Sequence, residues 1–129
     1  MRYLITTILF TLVFVSCQDE KYELPALDPE TILKIKSLET VEEKNKFLFG
    51  LWQEDQNLRR GEGHKIAAKY GNESDEYKAY IKKLIHLDNL VFAKIKFYLE
   101  THGYPRYAGR YDELALNAFP TIIGHHHYY

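Results

Sequence analysis

The stretch over residues 75–102 decides the fold: it reads DEYKAYIKKLIHLDNLVFAKIKFYLETH. Its apolar residues recur every three or four positions, which is the period of one face of an α-helix. The members of this stripe are Tyr77, Ile81, Leu84, Ile85, Val91, Phe92, Ile95 and Leu99. Ser74 is a favoured N-cap, and Gly103 and Pro105 favour a helix end. The sequence therefore predicts a helix over 75–102 with one face packed against other elements.

Two helices are predicted before this one from their capping residues. Asp28 is a favoured N-cap and Pro29 suits the first helical position, so a short helix is expected to about residue 38. Thr40 and Glu43 have the spacing of a capping box, and the helix that they open is expected to run to about residue 60. Its apolar residues recur at helical spacing and are Phe47, Leu48, Leu51, Trp52 and Leu58.

The remaining segments also favour helix. Residues 64–70 are expected to form a further short turn of helix, and a last helix is expected to begin at Asp112 and to be interrupted at Pro120. No segment alternates between polar and apolar residues over the length of a strand. The predicted class is all-α, a small antiparallel helical bundle over residues 28–129.

The first residues have the pattern of an export signal. Residues 1–16 contain one positive charge, Arg2, and then an apolar run that is too short to span a bilayer. Cys17 follows directly, and the sequence FVSC over 14–17 resembles the lipobox of bacterial lipoproteins, in which the cysteine is lipidated and freed by cleavage. Residues 1–16 are therefore expected to be a cleaved signal peptide, and residues 17–27 the lipidated cysteine and a tether.

A lipidated Cys17 predicts a protein anchored to the outer membrane of the cell envelope. Two or more acyl chains together give stable attachment to a bilayer. The acidic sequence QDE at 18–20 resembles the export signal of some bacterial surface lipoproteins, which implies the outer leaflet. Two alternatives remain open from the sequence: a plain secreted protein with an unpaired thiol, and an uncleaved N-terminal anchor.

Composition excludes several classes of protein and site. The chain has 129 residues, with 17 Lys and Arg against 18 Asp and Glu. It therefore has no strong positive field, and a nucleic-acid partner is not predicted. Its one cysteine excludes an internal disulfide framework and a multi-thiolate metal site. Adjacent histidines at 125–127 point in directions 100° apart on a helix, so they do not predict a metal site. No cofactor is predicted.

Three charged residues fall on apolar helix faces. Asp55 and Arg59 lie one turn apart near the centre of the face defined by Leu48 and Leu51, and Asp88 lies near the centre of the long helix's stripe. A charge in such a position is costly unless it is paired or hydrogen-bonded. The sequence therefore predicts an internal polar cluster of Asp55, Arg59 and Asp88.

The cluster has three interpretations. The first is a structural ion network that fixes helix register. The second is a ligand-binding pocket. The third is acid–base catalysis, in which one carboxyl is kept protonated by its neighbour.

Four short elements in order resemble an uncharacterised helical family of bacterial secreted proteins and lipoproteins. They are D-Q-x-x-R at 55–59, D-N at 88–89, H-G-x-P at 102–105 and the apolar pair before a histidine at 122–125. The resemblance covers about residues 50–127 and implies a polar site with Gln56, Arg59, Asn89 and His125 as binding residues. It adds His102 to Asp55 and Asp88 as a candidate catalytic residue.

Two departures from that family concern the C-terminal part. Gly124 stands where the family has glutamine, and family members continue with a further helical part. The chain is therefore expected to be a shortened copy. The predicted function is a binding or interaction module with a protein or small-molecule partner, and the alternative is a hydrolase- or lyase-like enzyme using Asp55, Asp88 and Arg59.

Overall fold

A computed structural model describes residues 24–106 and 108–126, and this part of the chain is helical without strands. Its helices are α1 (Pro29–Lys36), α2 (Val41–Leu58), α3 (Glu62–Tyr70), α4 (Asp75–His102), α5 (Glu113–Leu116) and α6 (Ala118–His126), with a 3-10 turn at Ala108–Arg110. Three of the helices, α2, α4 and α6, pack against one another, and α1 packs against α4, which confirms the all-α bundle. The expected signal peptide and Cys17 lie outside the described residues.

The predicted caps are present at three helix starts. The Asp28 side chain accepts from the Thr31 amide, and the Ser74 hydroxyl accepts from the Tyr77 amide. Thr40 and Glu43 form the complete capping box. Because Glu43 accepts from the backbone amides of Thr40 and Glu39, its pKa is lowered.

The C-terminal helix is broken earlier than expected. The break lies at Asn117 between α5 and α6, whereas Pro120 is the third residue of α6. The first four amides of a helix have no partner within the helix, so a proline there costs no hydrogen bond. The expectation that Pro120 interrupts this helix is therefore wrong.

The core lies where the C-terminal half of α4 meets α1, α2 and α6. Its centre is Tyr98, which is 1 % exposed. Tyr98 stacks on Phe47 with 5.8 Å between ring centroids, and it makes tilted contacts with His102 and Phe119. The other nearly inaccessible core residues are Ile35, Leu48, Leu51, Val91, Ile95, Ala115, Ala118, Phe119 and Ile122.

The N-terminal half of α4 has a different environment, since it packs against α3, a helix without buried residues. Close approach of these helices depends on Gly63, because a Cβ atom at this position would lie 2.8 Å from Cε1 of Tyr80. The apolar stripe predicted that Ile81, Leu84 and Ile85 are buried. In the structure these three residues are only half-buried. No helix within residues 24–106 and 108–126 is long and apolar enough to cross a membrane.

Gly50 in the middle of α2 leads to a stability prediction. A Cβ atom at this position would have no heavy atom within 4 Å, so alanine fits without a clash. Gly50→Ala is expected to raise the free energy of unfolding by about 0.5–1 kcal/mol, because glycine in a helix interior is less favourable than alanine by this amount. Urea unfolding measures the change. Gly61→Ala is the control with the opposite expected sign, because Gly61 has φ +75°. A destabilised Gly50→Ala variant would contradict the open space beside α2.

Candidate functional site

The charged residues predicted to be internal meet where α2, α4 and α6 pack together. Asp55 lies in the last turn of α2, and Arg59 is the C-cap residue of this helix one turn later. Asp88 lies on α4, and His125 lies in the last turn of α6. Asp55 is 1 % exposed and Asp88 is 4 % exposed, so both carboxyl groups are buried. We call these four residues the Arg59 cluster.

Arg59 connects the two buried carboxylates. Its Nη2 lies 2.8 Å from Oδ1 of Asp88 and 3.4 Å from Oδ1 of Asp55. Gln56 adds a third interaction, since its Nε2 donates to Oδ2 of Asp55 at 3.1 Å. A guanidinium between two carboxylates compensates the desolvation that each would otherwise suffer. The cluster therefore joins α2 to α4 through charge-assisted hydrogen bonds.

His125 completes the cluster through one ring nitrogen with two competing partners. Its Nδ1 lies 2.8 Å from Nε of Arg59 and 2.9 Å from Oδ2 of Asp55. A ring nitrogen either carries a proton and donates or lacks one and accepts. Nδ1 therefore accepts from Arg59 in one protonation form of the ring and donates to Asp55 in another. The two hydrogen bonds exclude each other.

The net charge of the cluster is the same in both neutral tautomers of His125. Two carboxylates and one guanidinium leave one negative charge when the His125 ring is neutral. A protonated ring removes this charge and donates to Asp55. No hydrogen-bond partner from the described part of the chain reaches Nε2, and 30 % of the His125 side chain is exposed. This nitrogen is accessible for proton exchange with water or a bound molecule.

The structure brings together five of the seven residues predicted for the site and separates two. Asp55, Gln56, Arg59, Asp88 and His125 are in contact. The Asn89 side chain is half-buried and forms no hydrogen bond to the described part of the chain.

His102 lies in a different part of the bundle. Its Nε2 is 2.7 Å from the carbonyl oxygen of Ile35, so it connects the C-terminal end of α4 to α1. Fourteen positions separate it from Asp88 on the same helix, which corresponds to about 21 Å along the axis. His102 therefore has a structural contact and does not join the Arg59 cluster.

A cavity next to the cluster contains residues that sequence reasoning missed. It has a volume of about 450 Å³ and lies between the end of α2, α3 and the first half of α4. Arg59 forms part of its wall, and the polar and aromatic residues around it are His64, Asn72, Tyr77 and Tyr80. The rings of Tyr77 and Tyr80 are 6.3 Å apart between centroids. The only sequence signal for this site was their spacing of three positions, which places two tyrosines on one helix face.

The rest of the cavity wall is formed by two glycines and three apolar side chains, namely Gly61, Gly63, Ala67, Ile81 and Leu84. A cavity with an apolar wall and a few converging polar groups is the usual form of a small-molecule site. Among the described residues, no group of three or more His, Cys, Asp or Glu side chains is placed to hold a metal ion.

No protein-family model, curated protein or solved structure matches this chain.

Proposed function

We propose that the chain is a lipid-anchored protein of the bacterial outer membrane whose helical domain binds a small polar molecule in the cavity beside Arg59. The observation that carries the binding function is the double role of Arg59. Its side chain holds the two buried carboxylates of the Arg59 cluster and also forms part of the cavity wall. A ligand in this cavity would contact a side chain whose position is fixed by ion pairs on α2 and α4.

The chemistry of the wall favours a small molecule with one apolar face and a polar edge. Ile81 and Leu84 offer apolar contact, while the tyrosine rings have an apolar body and a polar tip. His64 and Asn72 add side-chain donors and acceptors. A strongly charged ligand gains little here, because the positive charge of Arg59 is already offset by Asp55 and Asp88.

Filling the cavity tests the binding function. Ala67 lines the cavity and is half-buried, whereas Ala68 is exposed. Cocktails of neutral monosaccharides, nucleosides and amino acids would be screened by ligand-observed NMR. We expect Ala67→Phe to weaken binding of a hit at least tenfold, because the ring occupies the cavity, and Ala68→Phe to change it less than twofold. Equal effects of both variants, or no hit in any of the three classes, would contradict the proposal.

The anchor rests on sequence features alone, namely the signal-like residues 1–16 and the lipobox-like position of Cys17. It is tested by growth of an expressing bacterium with an alkyne analogue of palmitate. The wild-type chain should take up the label and fractionate with the outer membrane. Cys17→Ser should remain unlabelled and retain residues 1–16, while the control Ser37→Ala should behave as wild type. Label on Cys17→Ser would refute lipidation at this residue.

The geometry of His125 favours a second candidate function, a hydrolase- or lyase-like enzyme. Asp55 orients the ring through Nδ1, and Nε2 is left to accept a proton from water or a substrate hydroxyl. This candidate differs from the expected one, because His125, which was expected to be a binding residue, takes the catalytic role expected of His102.

The enzymatic candidate predicts a shared loss in two variants. Hydrolysis of p-nitrophenyl acetate is a suitable general probe, since it reports an accessible imidazole base. His125→Gln and Asp55→Asn should each lower the protein-dependent rate by about 10²–10⁴, the usual contribution of a general base. His86→Gln, at an exposed histidine of α4, should retain the rate. A loss of the same size in His86→Gln, or only a fractional loss in His125→Gln, would contradict a specific role for His125.

A further inference from the structure

A groove between α1 and α2 shares no residue with the Arg59 cluster. It has a volume of about 540 Å³. We call it the α1–α2 groove, and the residues that decide its chemistry are Lys34, Leu38, Lys46, Phe47, Gly50 and Leu51.

The floor of the α1–α2 groove is apolar. Leu38 and Leu51 are 9 % and 3 % exposed, and Phe47 packs against the core by stacking on Tyr98. Gly50 leaves the middle of the floor open, because a Cβ atom there would meet nothing within 4 Å. A glycine in a helix interior is unfavourable for stability and here has no close packing contact that requires it. The groove is deep at Gly50 because this residue has no side chain.

The rim of the groove carries a net positive charge, because three lysines, Lys34, Lys46 and Lys94, accompany two acids, Glu43 and Glu54. Of its two acids, Glu54 binds Lys94 at 2.8 Å and Glu43 accepts the backbone amides of Thr40 and Glu39. Lys34 and Lys46 form no ion pair with the described part of the chain. The Nζ atom of Lys34 lies 5.9 Å from the centre of the Phe47 ring, so one of these charges is close to the apolar floor.

From this combination we infer that the α1–α2 groove binds an anionic amphiphile, a carboxylate with an unbranched apolar tail. The tail would lie on Leu38, Phe47 and Leu51 over Gly50. The carboxylate would pair with Lys34 and Lys46. Charge complementarity selects this occupant over a neutral apolar molecule, which would leave the net positive charge of the rim unbalanced. This inference is independent of the proposed ligand site beside Arg59.

Binding of octanoate to the full chain in phosphatidylcholine nanodiscs tests the inference. Empty nanodiscs measure partition into the lipid, and equilibrium dialysis of labelled octanoate measures the excess that the protein binds. One octanoate is expected per chain. Octan-1-ol has the same tail without the charge and should compete at least tenfold less well. Equal competition by the alcohol would overturn the anionic specificity.

Two groove variants and one matched control locate the site. The double variant Lys34→Glu/Lys46→Glu should weaken binding at least tenfold, and Gly50→Leu should weaken it as much by filling the groove. Lys82→Glu/Lys83→Glu makes the same change in net charge at two exposed residues of α4 and should bind octanoate within twofold of wild type. Far-UV ellipticity confirms that each variant remains helical. Equal binding by the groove variants and the control would overturn the inference.

Discussion

Replacement of Arg59 by methionine is expected to lower the free energy of unfolding by about 3–5 kcal/mol. The variant leaves Asp55 and Asp88 buried, 1 % and 4 % exposed, without the guanidinium that lies between them. Removing one member of a buried ion network has this cost because the remaining charges stay desolvated and uncompensated. For a domain of about 100 residues, a loss of this size lowers the melting temperature by more than about 10 °C.

The matched control for this prediction is Arg60→Met. Arg60 is exposed and is the next residue along the chain, so its replacement should change the free energy of unfolding by less than about 0.5 kcal/mol. Urea unfolding at neutral pH measures both variants. A loss below about 1 kcal/mol in Arg59→Met would contradict the buried network.

A third variant distinguishes loss of charge compensation from loss of packing. The triple variant Asp55→Asn/Arg59→Met/Asp88→Asn removes both carboxylates together with the guanidinium. Because uncharged groups are less costly to bury, it should recover most of the stability that Arg59→Met loses. A triple variant as unstable as Arg59→Met would show that the methylene stem and shape of Arg59 stabilise the bundle instead of its charge.

Three members of the Arg59 cluster could be predicted from helical periodicity, but the fourth, His125 on α6, could not. Asp55, Arg59 and Asp88 were identifiable because each interrupts an apolar stripe, which requires compensation wherever the helices pack. The buried residues of α6, Ala118, Phe119 and Ile122, were not recognised as a stripe because Pro120 was expected to interrupt this helix. Only the sequence resemblance indicated His125. That resemblance also indicated His102, whose ring instead bonds to the Ile35 carbonyl.

The cavity beside Arg59 could not be derived in the same way. Its wall combines α2, α3 and α4, and only a short turn of helix was predicted for the segment that forms α3. Helical periodicity fixes which residues share a face, but it does not determine how far apart two faces remain. The close contact of Gly63 with Tyr80 and the open space beside Gly50 therefore depend on how the helices pack, which periodicity does not predict.

The identity of the core aromatic was also missed, for a geometric reason. The predicted stripe of the long helix ended on Leu99, whereas Tyr98 is the residue that is 1 % exposed. A stripe extrapolated over seven turns accumulates error, since the real period departs slightly from the ideal one. The hydroxyl also made tyrosine a poorer core candidate than leucine.

Tyr98→Ala is expected to lower the free energy of unfolding by about 3–5 kcal/mol, the range for removal of a large buried aromatic side chain. The ring contacts Phe47, His102 and Phe119, so its removal leaves a cavity among α2, α4 and α6. Tyr70→Ala, at a residue that is 47 % exposed, is the control and should cost less than about 0.5 kcal/mol. Urea unfolding measures both, and a similar loss in the two variants would contradict a central role for Tyr98.

The pH dependence of stability separates the Tyr98 hydroxyl from its ring. Burial, and then interaction with Tyr111, raises the pKa of Tyr98 above its ordinary value of 10.0. As the pH rises above 10, the unfolded chain releases this proton while the folded chain keeps it, so the free energy of unfolding falls by up to about 1.4 kcal/mol per pH unit. Tyr98→Phe has no proton to lose there and should lack this part of the decline, whereas Tyr70→Phe should retain it. Parallel alkaline profiles for the two phenylalanine variants would mean that the folded chain does not hold the Tyr98 proton. The difference between the profiles therefore isolates the hydroxyl, while Tyr98→Ala at neutral pH measures mainly the ring.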